Sequence, residues 1–333
     1  MFEDLGARTL SNGETVSMAI IQGPEPAWAD RIVTMLQHKG DPWNWQNAEM
    51  LTRDGEVGAF FHVLHREGVP FANVMIIEYA GVGLFGHVWT NADDRRKGAA
   101  RMLIDDVMAR FRDRGGQALF LGTGFDSHPY HLYERYGFTG IEPRSGYMEY
   151  YRDSKGVFHR DFFAVADTAI APLSWRHWPT AAPLFIGDFP GTVRCASRKL
   201  FGRRSTEGPL LSAIREEDTR RARGEGPQTL VLESDVSSAV VGLAAWTWHP
   251  LWPDTVLLDV YCHPAYWNQA GDLLATLELP DTDRVMAYVD AACPQRKDAL
   301  VAAGFRHGAA LPRLLARDRA KTCLVDVEVL DRR

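Results

Sequence analysis

Residues 84–111, LFGHVWTNADDRRKGAARMLIDDVMARF, run an apolar strand into a basic, small-residue turn that opens an amphipathic helix. That order suits a protein that holds a pyrophosphate without a metal. Gly98, Ala99 and Ala100 let a ligand approach the backbone closely. The first N–H groups of a helix have no intrahelical acceptor and attract an anion. Arg95, Arg96 and Lys97 put positive charge at the same place. Two phosphate loops fail against this segment. The P-loop needs lysine after its last glycine, and here Lys97 precedes Gly98; the dinucleotide fingerprint needs three glycines, and only Gly98 is present. What remains is Arg-x-x-Gly-x-Ala, as Arg95, Gly98 and Ala100. Taken alone, such a string also fits a solvated surface turn.

A second segment follows in order. Residues 118–138 read ALFLGTGFDSHPYHLYERYGF: a short buried-type strand, a short helix, and Gly137 placed to end that helix with positive φ. The Arg-x-x-Gly-x-Ala turn resembles the acetyl-CoA signature of the GNAT superfamily of N-acetyltransferases. LYERYGF resembles the string that closes the same family's next helix. The resemblance covers residues 14–150. It implies acetyl-CoA, or another acyl-CoA, held at Arg95–Ala100, with its pantetheine arm paired along Val88, Trp89 and Thr90 like an added strand. It also implies that Tyr133 protonates the departing thiolate and that a backbone N–H on the splayed strand stabilises the oxyanion. Asp126 stands where the family often has an asparagine touching pantetheine, and Pro129 where an alanine often follows.

The base that takes the amine's proton stays open. His87 lies beside the expected splay and has a useful reference pKa; His62, Glu78, His128 and His131 are the other candidates, and a water chain could serve instead. Trp43 and Trp45 could wall the acceptor cleft or simply pack in the core.

These residues need a scaffold. Strands are expected at 14–21, 57–65, 71–79 and 83–90, and helices at 25–38, from Asp41-Pro42 to about 51, and at 98–113. The motif helix carries Leu103, Val107 and Phe111 along its buried stripe. After a polar linker the same order begins again. AIAPL at 169–173, TLVLES, AVVGLAAWTW, TVLLDVYC and VMAYVD read as strands. SWRHWPTAAPLFI, PAYWNQAGDLLATLEL and PQRKDALVAAGF read as helices, and 191–227 as loops with a charged helix. The expected class is α/β of the α+β type, with two GNAT-like domains in tandem, 1–165 and 166–333. Each is a mixed, mostly antiparallel sheet flanked by helices. The second copy is expected to be degenerate and packed on the first: Tyr266 replaces Arg95, Gln269 replaces Gly98, and Leu300 stands where Tyr133 does.

At 333 residues the chain suits two domains. Its net charge of −6 and pI near 6.0 argue against a nucleic-acid-coating protein. No apolar run reaches membrane-spanning length. Cys195, Cys262, Cys293 and Cys323 show no metal spacing and read as thiols of a reducing compartment, so the expected location is cytoplasmic. The expected activity is transfer of acetyl to a primary amine of a small molecule, by direct attack in a ternary complex. A CoA-binding regulator without turnover, or another acyl-CoA reaction such as S-acyl transfer or decarboxylation, stays open. Neither the acceptor nor the oligomeric state can be read from the sequence.

Overall fold

The computed structural model describes residues 1–333. The chain divides into two compact units. One holds residues 1–122, 132–138 and 149–154; the other holds 123–131, 139–148 and 155–333. No helix is long and apolar enough to cross a membrane.

The first part of the chain runs β1 (Phe2–Thr9), β2 (Thr15–Gln22), α1 (Pro26–Leu36), α2 (Trp43–Thr52), β3 (Gly58–Arg66), β4 (Val69–Tyr79), β5 (Val82–Thr90), α3 (Ala99–Asp113), β6 (Ala118–Gly122), α4 (His128–Glu134), β7 (Thr139–Gly140) and β8 (Tyr147–Tyr151). Its strands form one mixed sheet in the order β1-β2-β3-β4-β5-β6-β8-β7, with β5 and β6 parallel.

Strand β4 is buried from Pro70 to Ile77 without alternation, because α1 packs against it on one face and α3 on the other. Helix α3 turns Ala99, Leu103, Val107 and Phe111 to the sheet, with Ile104 and Met108 beside them. Each such large side chain contributes about 1.5–3 kcal/mol on burial. The same face of the sheet holds His62, whose Nδ1 lies 2.7 Å from Asp106 Oδ2 on α3.

The remainder runs α5 (Lys155–Phe162), β9 (Thr168–Pro172), α6 (His177–Thr180), α7 (Ala182–Ile186), β10 (Val193–Cys195), β11 (Leu200–Phe201), α8 (Glu207–Ala222), β12 (Thr229–Ser234), β13 (Val240–Trp248), β14 (Thr255–Cys262), α9 (Ala270–Thr276), β15 (Arg284–Asp290), α10 (Pro294–Ala302), β16 (Arg306–Ala316) and β17 (Leu324–Arg332). Its main sheet has the order β16-β17-β15-β14-β13-β12-β9, with β14 and β15 parallel. Read from β9, this repeats the order of the first sheet read from β2. Three antiparallel steps lead to a parallel pair, and the last strand of each sheet in chain order inserts beside that pair. The α/β class and the two separate mixed sheets match the expectation from sequence.

Several elements differ from it. Helix α5 forms inside the stretch expected to be a polar linker, and β16 and β17 lie beyond the last element expected from sequence. Strand β1 adds to the edge ahead of β2, and its mostly exposed residues give no apolar alternation to read. The single helix expected over SWRHWPTAAPLFI is two short ones. Residues 191–201 form a small two-stranded hairpin, β10–β11, rather than loop. The helix expected from Pro264 begins as a 3-10 turn, Pro264–Gln269.

Candidate active site

The candidate site begins with an irregularity in β5. Asn73 of β4 pairs with Trp89 and Met75 pairs with Gly86, so β5 spends one residue more than its partner over this stretch. That is a β-bulge, a device that re-aims backbone groups. His87 sits in it at φ +50, and Asn73 Nδ2 donates to the His87 carbonyl at 2.9 Å. On the other edge, β5 pairs with β6 only from Val82 to Leu84. From Phe85 onward the two parallel strands part. Val88, Trp89 and Thr90 are half-exposed beyond that point, while the strand before it is buried.

Past Thr90 the chain makes a short 3-10 turn at Ala92–Asp94 and then the basic turn. Arg96 has φ +64 and Gly98 φ +84. Residues in the left-handed region set successive N–H groups into an anion-binding concavity. After Arg95, the next N–H of this turn with a carbonyl acceptor is Met102, bonded to Gly98 at 3.1 Å. A side chain at Gly98 would meet only Ser11 at 4.0 Å, so the glycine is required by its backbone angle rather than by crowding. Ala99 and Ala100 begin α3 and leave the concavity open.

The cations of this turn divide. Lys97 turns inward: its Nζ reaches Asp94 Oδ1 at 2.9 Å. Asp94 also takes both terminal nitrogens of Arg66, at 2.7 and 3.2 Å, and Arg66 Nε donates to Glu14 at 2.7 Å. The Arg66 guanidinium holds the Asp94 carboxyl below the ordinary carboxylate range. This network ties the basic turn to β3 and to the residue before β2, and it uses Lys97 as a structural cation. Arg95 and Arg96 remain exposed. Arg95 lies over the Trp89 ring at 5.0 Å and donates from Nε to the Thr90 carbonyl at 3.2 Å.

Tyr133 lies beside the parting strands. Its ring meets Phe85 edge-on at 5.5 Å, one residue beyond the last β5–β6 pair. The turn after it is closed by Gly137 at φ +88, with Phe138 N–H bonded to the Tyr133 carbonyl at 3.3 Å. That is the helix terminator expected from LYERYGF.

His87 is buried, and that burial, with the charges of Lys39 and His38, lowers its pKa to about 3. Neither ring nitrogen has a hydrogen-bond partner. Burial therefore favours the neutral imidazole and weakens it as a proton acceptor, which tells against His87 among the candidate bases. Three of the other candidates are occupied. His62 faces α3, on the opposite side of the sheet from His87, and bonds Asp106. Glu78 holds Arg114 through both oxygens, and His131 bonds Asp126 at 2.8 Å. The same bond takes the carboxylate of Asp126, which stands at φ +58. His128 is exposed at the start of α4.

Trp43 meets the His87 ring edge-on at 5.6 Å. With it come residues that sequence reasoning missed: Gln46 and Asn47 of α2 and Asn73 of β4, all fully buried. An asparagine inside the apolar run FANVMII is the available signal. A cleft of about 770 Å³ opens nearby, lined by Met35 and His38, by Val69 and Pro70 at the start of β4, and by Trp89.

The model of the acetyltransferase (GNAT) family matches residues 28–138. The chain carries a GNAT acetyltransferase domain. The match runs from within α1 to the Gly137-Phe138 terminator and so includes the bulge, the basic turn and Tyr133. No curated protein matches the chain. Among solved structures, a ribosomal-protein-alanine N-acetyltransferase from Brucella melitensis is 15% identical over 49% of this chain and 98% of its own, with a TM-score of 0.36. A ribosomal-protein-S5-alanine acetyltransferase from Vibrio fischeri is 12% identical over 51% and 94%, with a TM-score of 0.37. The GNAT domain of S. lividans PAT is 15% identical over 44% and 96%, with a TM-score of 0.35. The GNAT family draws its acetyl group from acetyl-CoA, and the basic turn fits that cofactor: it offers unpaired N–H groups, two left-handed residues and outward-facing arginines.

Proposed function

We propose that this chain is an acyl-CoA-dependent N-acyltransferase that moves acetyl from acetyl-CoA to a primary amine of a small molecule. The observation that carries this reading is the run of N–H groups from Arg96 to Arg101, set at the mouth of parted strands with Tyr133 beside them. Acetyl-CoA supplies an activated thioester. The N–H groups of the turn, with Arg95 and Arg96, hold its pyrophosphate. The free edge of Val88, Trp89 and Thr90 offers backbone pairing to its amide arm. The bulge at His87 frees a backbone donor for the thioester oxygen. The Tyr133 hydroxyl carries the proton that the departing sulfur takes up.

His87 acts in this reading through its backbone, and its neutral ring lies against Trp43. The amine reaches the site through the cleft at Trp89 and gives its proton to water. Residues 1–165 are proposed as the catalytic domain and 166–333 as a degenerate copy of the same scaffold. The second sheet repeats the strand order, while the turn after β14 has no lysine or arginine and Leu300 takes the place of Tyr133.

Incubation with acetyl-CoA and a panel of small primary amines, followed by thiol release, tests the reading. Release that depends on the amine, with the acetylated amine found by mass, is the expected result. Tight acetyl-CoA binding with no turnover on any amine would favour a CoA-binding regulator instead.

A further inference from the structure

A second site lies far along the sequence from the basic turn. Its first wall is the turn between β10 and β11, closed by the Lys199 N–H on the Ala196 carbonyl at 3.0 Å. Its other wall is the start of α8, a helix of 16 residues. Between them is a pocket of about 400 Å³ whose lining includes Arg198, Lys199, Arg204, Ser197, Ser212 and Gly208.

The charge there is unbalanced. Arg198 pairs with Glu216, but Lys199 and Arg204 have no carboxylate partner. Arg204 donates from Nε to the Phe201 carbonyl at 2.9 Å, which fixes the guanidinium while leaving its two terminal nitrogens uncommitted. The Arg198 side chain is only 7% exposed, and its Nε has no partner. In the first turn of α8, Ser205 Oγ caps the Glu207 N–H at 3.2 Å, Pro209 has none, and Leu210 bonds Thr206 at 2.9 Å. The Gly208 N–H is left, at the positive end of the helix dipole. The one acid of this turn, Glu207, takes a hydrogen bond from Ser205 Oγ at 3.0 Å.

We propose that this pocket binds a phosphoryl group, as inorganic phosphate or as the phosphate of a small metabolite. Two unpaired cations, serine hydroxyls and a helix N-terminus are the donor set such a group needs, and guanidinium groups match its oxygens in pairs. The residues of this site are not those of the acetyl-CoA turn, and the site does not depend on the proposed transfer reaction.

The full chain, saturated with acetyl-CoA to fill the basic turn, is titrated with inorganic phosphate at constant ionic strength, with chloride as the replaced anion. Binding is read by calorimetry and by the thermal midpoint. Phosphate should bind, and Arg204→Ala and Lys199→Ala should each weaken it by about tenfold, the worth of a charge-assisted hydrogen bond, while acetyl-CoA affinity is unchanged. Lys199 is exposed, so its variant keeps the test open if Arg204→Ala folds poorly. Glucose 6-phosphate is the second probe: tighter binding than phosphate points to a carried group, equal binding to the free ion. Phosphate affinity unchanged in both variants, or no binding beyond that of chloride, would overturn the proposal.

Discussion

The two sheets part their strands at the same step, and only the second fills the gap with its own chain. In the first, β5–β6 pairing ends at Leu84↔Phe120; in the second, β14–β15 pairing ends at Leu257↔Met286. Beyond that step β5 bulges at His87, whereas β14 continues one residue for one residue against β13, from Trp248↔Val256 to Gly242↔Cys262. The second sheet fills its gap with its own chain. Asp259 accepts the Ala196 and Ser197 N–H groups at 2.9 and 2.6 Å and pairs with Arg296, both side chains being wholly buried. Across the gap, Asp290 on β15 accepts the Thr192 and Val193 N–H groups at 2.8 and 2.7 Å. Residues 192–197 thus bridge the parted strands by donating their N–H groups to a carboxylate on each strand. The turns that follow differ as well. His263 caps a 3-10 turn at the Ala265 N–H, Pro264 has no N–H, and no residue from Cys262 to Leu274 is lysine or arginine. One topology can therefore leave its gap open or fill it with its own chain.

The contrast is sharpest at the glycine of the basic turn. Gly98→Glu forces a side chain to φ +84 and sets a carboxylate among N–H groups that await an anion. Acetyl-CoA affinity by calorimetry should fall by more than about a hundredfold, while Gln269→Glu at the matching place in the second sheet leaves it unchanged. Affinity that survives Gly98→Glu would place the cofactor elsewhere. Asp259→Ala comes next. It leaves the Arg296 guanidinium buried without a counter-ion and frees residues 196–197, so the second unit should lose about 3–5 kcal/mol in denaturant unfolding. Acetyl-CoA binding should persist; its loss would mean that the second sheet supports the cofactor site.

Tyr133→Phe should lower kcat by about a hundredfold, the low end for a positioned acid, with KM for acetyl-CoA unchanged. Leu300 shows why the readout is chemical rather than structural. It precedes Gly304 at φ +90, and Phe305 N–H bonds its carbonyl at 3.0 Å, so the second unit builds the same terminator with no hydroxyl. An unchanged kcat would remove Tyr133 from the proton's path.

Much of this is legible in the sequence alone. Gly98, Gly137 and Gly304 are readable because a positive φ selects glycine. The helix α3 is readable because it buries one stripe at helical spacing. The bulge is not, since it adds one residue to an apolar run without changing the run's character. Lys97 misleads for a related reason. Its place beside Arg95 and Arg96 suggests a shared target, and only the fold brings Asp94 and Arg66 against it. Strand β1 and the hairpin β10–β11 escape because one is mostly exposed and the other is held by carboxylates more than sixty residues away.

The smallest effect concerns His87. Counting from the last parallel pair, Val260 stands in β14 where His87 stands in β5, and it too is buried. Burial, then the charges of Lys39 and His38, hold the His87 pKa near 3, below the ordinary value of 6.5. The unfolded chain therefore takes up this proton first as pH falls. The stability tied to a neutral His87 is complete above pH 6.5 and is lost progressively from there towards pH 3. The loss is about 1.4 kcal/mol for each pH unit. His87→Val copies the second sheet's residue into the first and removes that dependence. Urea unfolding at pH 7 and pH 5 should show a larger drop for the wild type than for the variant, by about 2 kcal/mol. His62 makes the same contribution to both proteins and cancels. Equal drops would mean that the imidazole is reached by water and is not held neutral by its burial.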